Sequence, residues 1–99
     1  MTIEMKKEGS ALYVAPEGRL DTTTAPQLES ELRAAVGGVT ELTMDLSKLD
    51  YVSSAGLRVL LATQKIMNRQ GSMTIRNVKP EIMEIFELTG FLDILNIEE

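Results

Sequence analysis

The chain has 99 residues, with 10 Lys and Arg against 15 Asp and Glu and a formal net charge of −5, which suits one domain, 1–99, built around a modest two-layer core. Acidic balance and scattered basic residues argue against nucleic acid, because phosphate neutralisation needs clustered Lys and Arg. The absence of cysteine and histidine excludes disulfides, thiolate chemistry, the commonest soft metal ligands, the usual general base and a phosphohistidine relay, so no catalytic residue, cofactor or metal site is expected.

In chain order, "TIEMK" and "ALYVAPEGRL", separated by "EGS", read as a hairpin whose second segment ends in a Gly-containing turn. In "DTTTAPQLESELRAAVGG", Thr24 is predicted to N-cap the first helix with Gln27 three residues on. Ala25, Leu28, Leu32, Ala35 and Val36 follow at helical spacing before the Gly37-Gly38 stop. "TELTMDLSKLD" alternates Leu42, Met44 and Leu46 as a strand would, with Asp45 near its end. From Ser54, "SAGLRVLLATQKIMNRQG" is apolar around most of its circumference and closes at Gly71, a largely buried second helix.

"SMTIRNV" reads as a further strand. Pro80 opens a third helix, "PEIMEIFELTG", with Ile82, Ile85, Phe86 and Leu88 on one face and Gly90 at its end. A short strand around 94–97 completes the order ββαβαβαβ, an α/β pattern in which the later strands pair in parallel through right-handed crossovers. The longest apolar run, "VLLA", is far short of the roughly 20 residues that span a bilayer, and "MTIEMKKEGS" lacks a signal-peptide core. No membrane partner is expected, and the cytoplasm is the expected location.

In such a topology the loops leaving the C-terminal strand ends converge on one rim. Two segments should meet there, "GRLDTTTAP" with Asp21 and Thr22, and "LDYVSSAGL" with Ser53, Ser54, Ala55, Gly56 and Leu57. Taken alone these residues read first as caps and turns. A serine oxygen at an N-cap is worth about 1 kcal/mol, and one serine suffices for that. Asp21 and the threonines suit a capping turn, and Gly56 suits close packing of a helix start against a strand.

Taken together, "GRLD", "LTMDLSKLDYVSSAGLRVLL" and "VKPEIMEIFELTGF" strongly resemble the STAS domain of bacterial anti-sigma factor antagonists over almost the whole chain. The resemblance implies the STAS fold, a mixed β-sheet with helices packed mainly on one face. It also implies a partner-switching role in transcription regulation. A serine at the start of the second helix is phosphorylated by a serine/threonine kinase that is itself the anti-sigma factor, and a PP2C-type phosphatase reverses this.

The family's phosphoacceptor stands two residues before Gly-Leu, which carries that role to Ser54, and Asp21 matches the aspartate beside it. Ser53 stands where relatives often have aspartate, and the extra C-terminal helix of some relatives is expected to be absent. Asp21, Thr22, Ser53, Ser54, Ala55, Gly56 and Leu57 are thereby the expected partner-binding residues. A rival reading is an accessory subunit of a lipid or anion transporter that docks through the same rim without phosphorylation. An enzyme with Ser54 as nucleophile would have only an acidic neighbour such as Asp21 for a base. A receiver domain phosphorylated on Asp45 lacks the expected acidic cluster near the first strand.

Overall fold

The computed structural model describes residues 1–98; Glu99, the last residue of the expected domain, lies outside the described residues. Strands β1 (Thr2–Glu8) and β2 (Ala11–Leu20) form an antiparallel hairpin in register from Thr2↔Glu17 to Glu8↔Ala11. Helix α1 (Ala25–Ala35) leads to β3 (Glu41–Asp45) and β4 (Leu49–Val52), then to α2 (Ser54–Gln70). Strand β5 (Ser72–Arg76), helix α3 (Pro80–Thr89) and a 3-10 turn (Phe91–Asp93) follow. The sheet runs β1-β2-β3-β5, with β4 paired in parallel to the C-terminal end of β2. β2 with β3, and β3 with β5, are also parallel, because a helix returns the chain across the sheet between them.

The period-2 pattern decides which face is covered. Leu12, Val14, Leu42, Met44, Met73 and Ile75 point to one side and are buried. Leu28 and Leu32 of α1, Leu57, Leu60 and Met67 of α2, and Ile82 and Phe86 of α3 cover them. Each fully buried side chain of this size stabilises the fold by about 1.5–3 kcal/mol. Tyr13, Thr43 and Thr74, at the alternate positions, are only half-buried, so the helices lie on one face as expected for the fold.

Three local departures from the expected pattern have physical causes. "GRL" is strand rather than turn: Gly18, at φ +93°, forms a bulge that shifts the register with β4, and the strand runs on to Leu20. The region expected as one strand up to Asp50 holds two, because Leu49 N–H closes a tight turn on Leu46 O at 3.1 Å and the chain starts again as β4. The expected last strand is reduced to a single parallel bridge, Ile97 with Ile75. Phe91 stacks on Phe86 with centroids 6.5 Å apart and Leu95 is buried, so packing against the core rather than strand pairing sets the path of 91–95. Among the described residues, no helix is long and apolar enough to cross a membrane, and no group of His, Cys, Asp or Glu could hold a metal ion.

Candidate functional site

Parallel pairing of β2, β3, β4 and β5 places the starts of all three helices at one edge of the sheet. There β2 and β4 end side by side, Leu20 opposite Val52, and Ser53 N–H donates to Leu20 O at 2.8 Å. The two expected segments therefore meet, with Asp21 directly following one strand end and Ser53 the other.

The two serines do different things. Ser53 is the N-cap of α2: its backbone is extended (φ −94°, ψ 175°) and its Oγ accepts the Gly56 N–H at 3.3 Å. Ser53 O accepts the Leu57 N–H at 2.9 Å, the first bond of the helix. Ser54 is the first helical residue, exposed to solvent, and the cap is complete without its hydroxyl. Gly56 and Leu57, expected at the partner surface, are buried beneath it. A Cβ on Gly56 would lie 2.7 Å from Leu20 Cγ and 2.9 Å from Val52 Cγ2, so glycine lets the helix start sit down on the paired strand ends. Of the expected residues, Asp21, Thr22, Ser53, Ser54 and Ala55 keep at least part of their surface in solvent.

Asp21 organises the turn before α1. Its Oδ1 accepts the Thr23 N–H at 2.9 Å, the Thr23 hydroxyl at 2.7 Å and the Thr24 N–H at 3.2 Å. Thr24 Oγ1 in return accepts the Asp21 N–H at 2.9 Å, and Asp21 O accepts the Ala25 N–H at 2.8 Å. This reciprocal pair is a capping box three residues earlier than the Thr24 and Gln27 box expected from the sequence. Thr24 stands at the start of α1 but makes no side-chain cap bond to it, and the Gln27 amide donates instead to Met1 O and to Glu31. The Thr23 hydroxyl, with the Thr23 and Thr24 amides, holds the Asp21 carboxyl below the usual aspartate range despite partial desolvation.

Arg19, Tyr51 and Arg58 also belong to the rim, although the sequence reading passed over them. Parallel register sets Arg19 opposite Tyr51, and the guanidinium lies 4.2 Å from the ring centroid while its Nε is 3.8 Å from Asp21 Oδ2. The signal that could have found this pair is the register itself, which needs β4 to be recognised as a strand. Beyond Asp21, an open groove of about 300 Å³ runs between α1 and α2. Thr22, Ala25, Pro26 and Glu29 line one wall, and Ala55, Arg58 and Val59 the other. The rim thus offers an exposed hydroxyl, an ionised carboxylate, a stacked guanidinium and a shallow groove of small side chains. That suits recognition by a macromolecule.

The STAS domain model matches residues 2–99. The chain belongs to the STAS-domain anti-sigma factor antagonist family. It is 39% identical over 99 residues to BtrV of Bordetella bronchiseptica, to which the role of anti-sigma factor antagonist is ascribed; the match covers 98% of this chain and 85% of that protein. An anti-sigma factor antagonist from Mycobacterium paratuberculosis superposes with a TM-score of 0.87 at 26% identity, covering 97% of this chain and 83% of that one. SpoIIAA of Bacillus, solved in unphosphorylated and phosphorylated forms, superposes with TM-scores of 0.78 and 0.76. At 16% and 17% identity, over 99% of this chain and 88% and 92% of those, it attests the fold alone. The antagonist relatives are regulatory proteins rather than enzymes.

Proposed function

We propose that the protein is a partner-switching antagonist. Unphosphorylated, it binds an anti-sigma factor serine/threonine kinase through the rim and so frees a sigma factor; phosphorylation of Ser54 abolishes the binding, and a PP2C-type phosphatase restores it. The division of labour between the serines carries this reading. Ser53 is spent on the cap, and the adjacent Ser54 presents a hydroxyl that the fold does not use.

Phosphorylation adds about −1.5 to −2 charges at that point, and the first turn of a helix tolerates them. The fold should persist while the surface changes. A like charge about 4 Å away on a partner costs on the order of 4 kcal/mol at the effective dielectric of a protein surface, up to about a thousandfold in affinity. ATP and Mg²⁺ belong to the kinase, and this chain supplies a substrate serine and a docking surface. The match over nearly the whole of this chain to proteins named as antagonists favours this reading over a transporter subunit.

The test is a pull-down from a cytoplasmic extract with unphosphorylated bait and with Ser54→Asp bait, the bound chains being identified by mass. A serine/threonine kinase retained by the first and lost from the second is expected. Recovery of a transport ATPase by both baits would overturn the proposal in favour of the accessory-subunit reading.

A further inference from the structure

We propose that Arg58 is the counter-charge that phospho-Ser54 recruits from its own helix, an inference that rests on Ser54 being the phosphoacceptor. Ser54 is the first residue of α2 and Arg58 stands four residues on, and both are exposed. Residues at this spacing are neighbours on a helix surface, and side chains lean toward the helix N-terminus. A long side chain at position 58 can therefore reach back over the turn that carries Ser54. Anion first and cation four residues later is also the favourable orientation of such a pair.

The state of Arg58 in the unmodified protein is the second observation. Arg19 pairs with Asp21 at 3.8 Å, Arg33 with Glu29 at 3.8 Å and Arg76 with Glu98 at 3.1 Å, whereas Arg58 makes no ion pair among the described residues. Arg69 also makes none there, but it occupies the last turn of α2, where the helix dipole favours a cation. Arg58 sits one turn from the opposite end, where the dipole gives it nothing. Its groove holds one acidic wall residue, Glu29, already engaged by Arg33. Asp21, at the head of the groove, is held by Thr23, Thr24 and Arg19. A guanidinium left without an ion-pair partner, one helical turn from an exposed hydroxyl, is poised for an anion that arrives on that hydroxyl.

A phosphate on Ser54 supplies that anion. Two guanidinium N–H groups can donate to two phosphate oxygens, a geometry that a planar fork makes and a point charge does not. The pairing changes the switch in a second way. In the unmodified protein the guanidinium lies open to a partner's carboxylate, and in the phosphorylated protein it is drawn back onto its own helix. Phosphorylation would thus add a negative charge and withdraw a positive one from the same surface.

Phosphoserine can be incorporated at position 54 during translation, which sets the chemistry without any kinase. The second ionisation of the phosphate is then followed by phosphorus NMR in the otherwise wild-type chain and in Arg58→Gln, Arg58→Lys and Lys65→Gln. Lys65 is an exposed cation of the same helix, outside the groove, and controls for net charge. The expected result is a phosphate pKa about half a unit lower in the chain that keeps Arg58 than in Arg58→Gln, partial recovery in Arg58→Lys, and a much smaller change for Lys65→Gln. No difference between arginine and glutamine would overturn the proposal, as would equal shifts for the Arg58 and Lys65 variants. If a kinase fails to modify Ser54, the functional reading falls while this titration still stands or falls alone.

Discussion

Replacing Gly56 by alanine should destabilise the protein even though alanine is the better helix former. The added Cβ would stand 2.7 Å from Leu20 Cγ, 2.9 Å from Val52 Cγ2 and 3.0 Å from Leu20 Cδ2. Carbon atoms rest at about 3.5–4.0 Å, so the overlap is on the order of 1 Å. Neither neighbour can swing aside, because Leu20 and Val52 are 0% and 2% exposed and the contact on leucine falls at its branch point. Overpacking of this kind costs about 1–3 kcal/mol, against a propensity gain of at most about 1 kcal/mol for replacing a helical glycine. Because both neighbours are buried and cannot yield, the cost falls in the upper part of that range, and a net loss of about 1–2 kcal/mol is expected, read as a lower urea midpoint at unchanged slope. Relief follows if the clash is real: in the double variant Gly56→Ala with Val52→Ala, the losses should sum to less than the two single losses. A Gly56→Ala protein as stable as wild type, or additive losses in the double variant, would contradict this packing. The first turn of α2 would then not be seated on the strand ends as described.

The two serines should separate in the same assay. Ser53→Ala loses the cap and about 1 kcal/mol, while Ser54→Ala stays within about 0.5 kcal/mol of wild type; the reverse order would contradict the cap assignment. Asp21 has a folded pKa below its usual value, so its ionisation contributes stability above about pH 4 that is lost as pH falls through the folded pKa. Asp21→Asn, which keeps the acceptor oxygen of the turn, should therefore show a shallower loss of stability on acidification. It should also change kinase affinity by about tenfold or more if the carboxylate belongs to the partner contact, and a titration calorimeter reads both the affinity and its absence of change. The Tyr13 phenol, which donates to Asp45 Oδ2 at 2.7 Å, is pushed up to about 12, chiefly by that bond. Its contribution is complete below the unfolded pKa of about 10 and is lost as pH rises toward the folded value. Ultraviolet titration should show a late tyrosine step that Tyr13→Phe removes and Asp45→Asn brings to lower pH; a late step unaffected by Asp45→Asn would contradict this.

Long periodic segments were legible in the sequence because their periodicity and their burial coincide. Leu28 and Leu32 in α1, Leu57 and Leu60 in α2, and Ile82 and Phe86 in α3 are spaced as a covered helix face and are buried as one; Leu88, expected on that face of α3, is instead 79% exposed, because six residues at about 100° each carry it about a third of a turn away from Ile82. β4 was not legible, for a physical reason. It has four residues, its buried positions are Leu49 and Val52 at the two ends, and so it shows no alternation for a period-2 reading to detect. With β4 went the register that joins Arg19 to Tyr51. The polar run Asp21 to Thr24 announced a cap without saying which residue caps, since aspartate and threonine compete for the same amides; the carboxylate took them and left the Thr24 hydroxyl to donate to Arg19 O at 2.7 Å. Asp21 and Ser54 were singled out together as candidates because the short strings around them are distinctive, and the parallel strand ends place those strings side by side.

In the proposed mechanism one serine, Ser54, carries the switch. Incubating wild type, Ser54→Ala and Ser53→Ala with the kinase and ATP, then reading intact masses and retention of the kinase on each protein, tests it most directly. Wild type and Ser53→Ala should each gain one phosphate and lose the kinase, while Ser54→Ala should gain none and keep it bound. A phosphate that persists in Ser54→Ala and disappears in Ser53→Ala, or a kinase that remains bound to the phosphorylated protein, would contradict the account.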